Sequence, residues 1–159
     1  MRVGLGYDSH RFADGRRLVL GGIEIPHDRG LAGHSDADAV AHALTDAVLG
    51  ATGLGDIGRH FPPDDEQWRD ADSIELLRRA VQLAAEQNYQ VVNADVTVVC
   101  EAPKIGPHTG AMCERLAQAL VIAPSFVSIK GKTNEGMGWI GGGEGIAAMA
   151  VVLVDRVEG

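Results

Sequence analysis

Asp8 and His10 stand two residues apart at the end of the first apolar stretch, and in an extended chain that spacing sends both side chains to one face. Farther along, Asp38, His42 and Asp46 recur every four residues in a segment otherwise built of Ala, Val and Leu, which stacks them along one stripe of a helix. Together Asp8, His10 and His42 offer zinc one carboxylate and two imidazoles with a fourth position open, the arrangement of a catalytic zinc. Asp38 or Asp46 would then orient His42 from behind. The plainer alternative makes Asp8 and His10 a strand end and His42 a satisfied core histidine with Asp46 as its partner. The segment His34-Ser35-Asp36-Ala37-Asp38 precedes that helix, whose first amides and dipole favour a bound phosphate; it also reads as a cap and solvated turn. In Lys130-Gly-Lys-Thr-Asn-Glu135, Thr133 and Asn134 can hydrogen-bond phosphate oxygens and Lys132 can neutralise them. Glu135 can hold a hard cation there. Glycine and lysine stand in the wrong order for a P-loop, and the alternative is an exposed polar turn. Ala102-Pro103-Lys104 alone reads as a turn with a solvated lysine.

These residues need elements to position them. Arg2 to Tyr7 predicts a strand, and Leu18 to Ile25, broken by Gly21-Gly22, predicts a hairpin. Asp38 to Leu49 predicts a buried Ala-rich helix ended by Gly50 and Gly53. Residues 53–72, rich in Gly, Pro and Asp, predict a long irregular loop. Asp72 with Glu75 resembles a capping box opening a helix to about Gln87. A strand Val91 to Val99 and a helix from Pro107 follow, the latter with Met112, Leu116 and Leu120 inward. Two strands, Val127 to Lys130 and Ile146 to Asp155, enclose a segment from Gly131 to Gly145 too rich in glycine for a regular element. The order predicts an α/β (α+β) sandwich, a mixed β-sheet with helices on one face, as one domain over 1–159.

The chain has 159 residues, 45% hydrophobic, 23% charged and 4% aromatic, a globular composition whose core rests on Ala, Val, Leu and Ile. Its 14 Lys and Arg against 22 Asp and Glu give a net charge of -8, which excludes an electrostatic footprint for nucleic acid or an anionic membrane. A phosphate ester would be repelled unless metal ions or placed lysines supplied positive charge. No window approaches the roughly 18 apolar residues of a membrane span. Cys100 and Cys113 lack CxxC spacing, so they predict a core filler and a helix residue in a reducing compartment, with no disulfide and no thiolate zinc site.

At this point the chain resembles the 2-C-methyl-D-erythritol 2,4-cyclodiphosphate synthase family. The stretches that carry the likeness are GYDSHRF, LGGIEIP, GLAGHSDADAVAHALTDAVLGA, GLGDIGRHFP, ADS, EAPKIGPH and KTNEGMGWIGGGEGIA, in order from residue 1 to about 155. The resemblance implies conversion of 4-diphosphocytidyl-2-C-methyl-D-erythritol 2-phosphate to the cyclic diphosphate with release of CMP, in the non-mevalonate route to isoprenoids. It implies zinc on Asp8, His10 and His42, and magnesium or manganese at the diphosphate with help from Glu135. His34 and Thr133 would stabilise the transition state. Substrate contacts would come from Ser35, Asp56, Ile57, Gly58, Phe61, Asp65, Lys132, Asn134 and Trp139, and a cytosine pocket from the backbone of Ala102, Pro103, Lys104, Ile105 and Gly106. It further implies a cytoplasmic homotrimer with sites between subunits. Three positions depart from the family: Pro63 where Asp is frequent, Gly142 where Arg is frequent, and Lys132 where Thr is frequent. Two other functions use the same residues. One is a zinc-dependent phosphohydrolase with water as nucleophile; the other is a trimeric nucleotide-binding protein without catalysis.

Overall fold

The structure is a computed structural model that describes residues 1–157; the last two residues of the 1–159 span fall outside the described residues. Seven strands and five helices follow in the order β1 (Arg2–Ala13), β2 (Leu18–Leu20), β3 (Ile23–Ile25), β4 (Gly30–Leu31), α1 (Ala39–Thr52), α2 (Ile57–His60), α3 (Ser73–Glu86), β5 (Tyr89–Val99), α4 (Thr109–Leu120), β6 (Val127–Lys132), α5 (Gly138–Gly141) and β7 (Gly145–Arg156). The main sheet runs β4-β1-β7-β5-β6. Only β5 and β6 are parallel, joined through α4, and the other neighbours are antiparallel. It is a mixed sheet, as the order of elements predicts.

The position of α1 on this sheet is fixed by two glycines. A Cβ on Gly4 would lie 1.9 Å from the Ala47 carbonyl oxygen, and one on Gly6 would lie 1.8 Å from that of Ala43. The helix backbone therefore rests directly on β1, which no larger residue permits. As β1 advances from Gly4 to Gly6 the contact moves back along α1 from Ala47 to Ala43, so the next residues on that face, Asp8 and His10, emerge beside the helix's first turns. His42 stands there. Ile146, Ala148, Ala150, Val152 and Val154 of β7 and Val96 and Val98 of β5 complete the buried face beneath α1, α3 and α4.

Asp38 caps α1 by accepting from the Val40 and Ala41 amides at 3.1 and 3.0 Å. It also accepts from Gly21 at 2.8 Å and Gly22 at 2.7 Å, so one buried carboxylate ties the β2–β3 turn to the helix start. Both turn glycines have positive φ, 61° and 72°, as a two-residue hairpin turn requires.

Several expectations are corrected. β1 continues to Ala13, because its pairing with β7 runs on through His10↔Ile146 to Arg11↔Gly145 and β4 joins at Phe12. α1 passes through Gly50 and ends only at Gly53, whose left-handed backbone (φ 76°) closes the last turn. Residues 53–72 are not irregular throughout: Asp56 caps α2, and Glu66–Trp68 form a 3-10 turn. Asp72 does cap α3, but Glu75 pairs with Arg78 instead of returning to the cap, so no capping box forms. The glycine-rich segment 131–145 contains one helical turn, α5.

Candidate active site

Three side chains from two elements converge at the C-terminal half of β1 and the start of α1. Asp8 Oδ2 lies 2.7 Å from His10 Nε2 and 3.1 Å from His42 Nδ1, and the two imidazole nitrogens are 3.3 Å apart. Among the described residues this is the only group of three or more His, Cys, Asp or Glu side chains placed to share a metal ion. All three are largely withdrawn from solvent. Burial pushes the Asp8 carboxyl up, but hydrogen bonds and charge from His10 and His42 outweigh it and hold the group at about 2. For His10 burial acts downward, and the Asp8 carboxylate overcomes it, raising the imidazole above its ordinary value. This mutual stabilisation keeps Asp8 ionised with one oxygen facing two ring nitrogens.

The outer nitrogen of each ring is engaged. His10 Nδ1 donates to the Ala32 carbonyl at 2.7 Å, which leaves the lone pair on Nε2 facing the centre. His42 Nε2 meets Ser73 Oγ at 2.8 Å and Ser35 Oγ at 3.2 Å. Neither Asp38 nor Asp46 orients His42, contrary to the expectation from the stripe. Asp38 is consumed by the hairpin and cap amides. Asp46 accepts from Ile57 N at 2.7 Å and so fixes the start of α2; its pKa is raised by burial, partly countered by that bond.

The loop carrying His34 is held by Arg16, whose guanidinium donates to the Gly33 carbonyl at 2.7 Å and the Ser35 carbonyl at 2.6 Å. Sequence reasoning missed Arg16 and Ser73, whose partners are distant in the chain, and it read Asp36 only as part of a cap or phosphate-binding turn, not as the partner of Ser73. A cleft of about 240 Å³ next to the Asp8–His10–His42 centre gathers His34, Ser35, Ile57, Gly58 and Phe61 of the expected contacts. Asp56 stands at its edge as the α2 cap, accepting from Arg59 N at 2.9 Å, and Asp65 lines a second depression with His34.

A separate cleft of about 300 Å³ opens where β5 and β6 end, lined by Pro103, Lys104, Ile105, Gly106, Lys132 and Thr133. Ala102 precedes Pro103 through a cis peptide. Glu101 shapes this cleft by accepting from the Asn134 amide at 2.8 Å and the Gly136 amide at 3.4 Å. Thr133 Oγ1 reaches Glu135 at 3.4 Å, and Asn134 Nδ2 donates to the Met137 carbonyl at 2.8 Å. Trp139 lines a third depression on the open side of the sheet with Ser9, Arg11 and Glu144. Within one chain the expected site thus divides into two clefts that share no lining residue, with His34 in one and Thr133 in the other.

A mixed sheet covered by helices on one face, with an Asp–His–His centre and a separate cleft of lysines and backbone amides, has the make-up of a metal-assisted phosphate enzyme. The chain matches the YgbB family over residues 1–155 and belongs to it. It is 60% identical over 154 residues to the 2-C-methyl-D-erythritol 2,4-cyclodiphosphate synthase of Symbiobacterium thermophilum, covering 97% of this chain and 98% of the relative. With the synthase of Dechloromonas aromatica it shares 57% over 156 residues, covering 98% of each. Among solved structures, a synthase in its CDP-bound form superposes with a TM-score of 0.89 at 40% identity, over 97% of this chain and 100% of that one. The bifunctional IspDF of Campylobacter jejuni superposes at 0.95 with 38% identity, over 99% of this chain and 42% of that longer one.

Proposed function

We propose that this chain is a 2-C-methyl-D-erythritol 2,4-cyclodiphosphate synthase, an enzyme that closes the cyclic diphosphate ring and releases CMP on the way to isoprenoid precursors, and that residues 1–159 are one domain of that kind. The observation that carries the reading is the convergence of Asp8, His10 and His42 in a chain similar to such synthases over nearly its whole length. The alternatives, a zinc phosphohydrolase and a nucleotide binder, share parts of the site without that likeness.

The donor set fits zinc. It comprises two imidazole nitrogens whose opposite nitrogens are hydrogen-bonded elsewhere and one ionised carboxylate, converging from two elements and leaving a position for substrate. Bound there, zinc supplies positive charge that polarises a phosphoryl oxygen. In the reaction, an oxygen of the substrate's 2-phosphate forms a bond to the β-phosphorus, and the bond from that phosphorus to the CMP oxygen breaks. Both groups belong to one molecule, so the work of the residues is positioning more than proton transfer. His34 and Ser35 stand at the metal-side cleft to hold one phosphate; Thr133 and Lys132 stand at the other, with Asn134 next to them in the chain, to hold the diphosphate. Glu135 would offer a carboxylate to magnesium or manganese, and such an ion would supply positive charge to the diphosphate. The backbone from Ala102 to Gly106 accommodates cytosine, and Asp56, Ile57, Gly58, Phe61, Asp65 and Trp139 line the sugar and linker.

Assembly belongs to the same reading. Among the described residues no element covers the sheet face opposite the helices, and Val3, Leu5, Tyr7, Met149 and Val151 are 67, 71, 53, 42 and 43% exposed there. An apolar surface of this kind supports association with copies of the same chain, and we take the assembly to be a homotrimer whose sites join the metal-side cleft of one subunit to the lysine-lined cleft of the next. Both cysteines are free thiols, in keeping with a cytoplasmic setting, and among the described residues no helix is long and apolar enough to cross a membrane. Incubation with the diphosphocytidyl substrate, followed by phosphorus NMR, tests the reaction: a cyclic diphosphate plus CMP is expected. An opened monophosphate would favour the hydrolase, and unchanged substrate the binding protein.

A further inference from the structure

The two histidines of the metal centre are oriented from behind by partners of different chemistry. His10 Nδ1 faces a carbonyl oxygen, which only accepts, so the proton on that nitrogen is fixed without ambiguity. His42 Nε2 faces hydroxyls, which both donate and accept, so Ser73 and Ser35 alone do not hold a proton on that nitrogen, and Nδ1 faces the accept-only Asp8 carboxylate at 3.1 Å until a metal takes that place. A third group resolves it. Ser73 Oγ lies in short contact with Asp36 Oδ1, and Asp36 Oδ2 accepts the Ser73 amide at 3.1 Å, so the carboxylate grips one serine at two points. Asp36 Oδ1 also accepts the Asp38 amide at 3.1 Å, which holds the carboxylate at the mouth of α1.

We infer that Asp36 and Ser73 form a relay that sets His42 in the Nε2-protonated tautomer and so presents the Nδ1 lone pair to the metal, making both of them positioning residues for the centre. Each proton then has one place. Ser73 has a single hydroxyl proton, and a carboxylate can only accept it, so it goes to Asp36. The Ser73 oxygen is left to accept, from His42 Nε2–H at 2.8 Å and from the Ser35 hydroxyl at 3.3 Å. Ser35 oxygen in turn accepts the Ala37 amide at 3.1 Å. Ser73 is fully buried and Ser35 nearly so, so water does not compete for these bonds. If the Ser73 proton pointed at His42 instead, Asp36 would lose its hydroxyl donor, and His42 Nδ1 would carry a proton where the metal must bind.

The inference rests on the metal-centre reading, and two readouts keep them apart. In the zinc-loaded parent, proton–nitrogen correlation NMR should show a His42 Nε2–H proton protected from exchange with water by its bond to buried Ser73. Zinc affinity, measured by competition with a chromogenic chelator, should fall ten- to a hundredfold in Asp36→Ala and in Ser73→Ala. Asp36→Ala should also speed the exchange of that proton, because the Ser73 hydroxyl, released from the carboxylate, no longer stays turned as its acceptor. Asp36→Asn, whose amide oxygen still accepts from the Ser73 hydroxyl while its NH2 faces the Ser73 amide, should recover part of the lost affinity. A His42 Nε2–H proton that exchanges as fast in the parent as in Asp36→Ala, or an Asp36→Ala variant with parental zinc affinity, would overturn the relay. A parent that takes up no zinc would instead overturn the metal-centre reading on which the relay rests.

Discussion

His42 sits where a substitution separates chemistry from stability. Its ring is oriented by Ser73 and faces Asp8, yet its backbone lies in a helix of mostly Ala, Val and Leu, so His42→Ala should leave the helix intact. We expect loss of bound zinc and of turnover, with far-UV circular dichroism and thermal midpoint near those of the parent; a variant retaining zinc and near-parental turnover would refute its role as ligand. Asp46 is predicted to behave otherwise. Its carboxylate holds the Ile57 amide, so Asp46→Ala should cost about 1–2 kcal/mol of stability in urea unfolding while zinc affinity stays within about twofold. Cys100 provides a check on burial: desolvation raises its thiol to about 11. A raised pKa means less thiolate, so at pH 8 iodoacetamide should alkylate it roughly a hundredfold more slowly than in the unfolded chain. The ligands themselves were legible in the sequence because each lies on a local period, two along a strand or four along a helix. The pairing of Asp36 with Ser73 was not, since Ser73 meets Asp36 across 37 positions and His42 across 31, separations at which no periodicity speaks.

At the scale of elements, the strand that carries two ligands is the one whose length the sequence understates. Asp8 and His10 interrupt the hydrophobic alternation of β1, so the pattern stops at Tyr7, whereas the strand runs on because β7 and β4 pair with it. Polar residues placed for chemistry erase the signal of the element that positions them. The hairpin, α1 and α4 were legible because their glycines and apolar periods agree with burial, as Met112, Leu116 and Leu120 show. The turn structure within 53–72 was not, since it depends on Asp56 capping α2 and on Phe61 meeting Trp68 edge-on at 5.0 Å. The close contact of β1 with α1 makes a specific prediction. Gly6→Ala would drive a methyl group into the Ala43 carbonyl, so α1 must retreat from β1 or the fold must yield. A loss of about 3 kcal/mol is expected. Because Asp8 and His10 ride on β1 and His42 on α1, zinc affinity should fall as well in whatever fraction stays folded. A variant with parental thermal midpoint and zinc affinity would show that the interface tolerates the shift.

For the whole molecule, the decisive feature is that one chain presents two half-sites. His10, His34 and His42 line one cleft, while Lys104, Lys132 and Thr133 line another, and an uncovered apolar sheet face lies on the same subunit. If the metal half of each subunit meets the lysine half of its neighbour, the contact is heterologous and must close as a ring, here of three. His42→Ala and the double variant Lys104→Ala/Thr133→Ala then damage opposite halves of one site, and each alone should be nearly inactive. Going round any mixed trimer, there is one interface at which an intact metal half meets an intact lysine half. Random mixing of equal amounts makes about three quarters of the trimers mixed, each with one good site in three, so roughly a quarter of parental activity should return after the two variants are co-refolded. Native mass spectrometry would confirm the mixed trimers. If these are present and activity remains at the level of the separate variants, both halves must serve within a single subunit, and the two clefts would have to be bridged by substrate across β7.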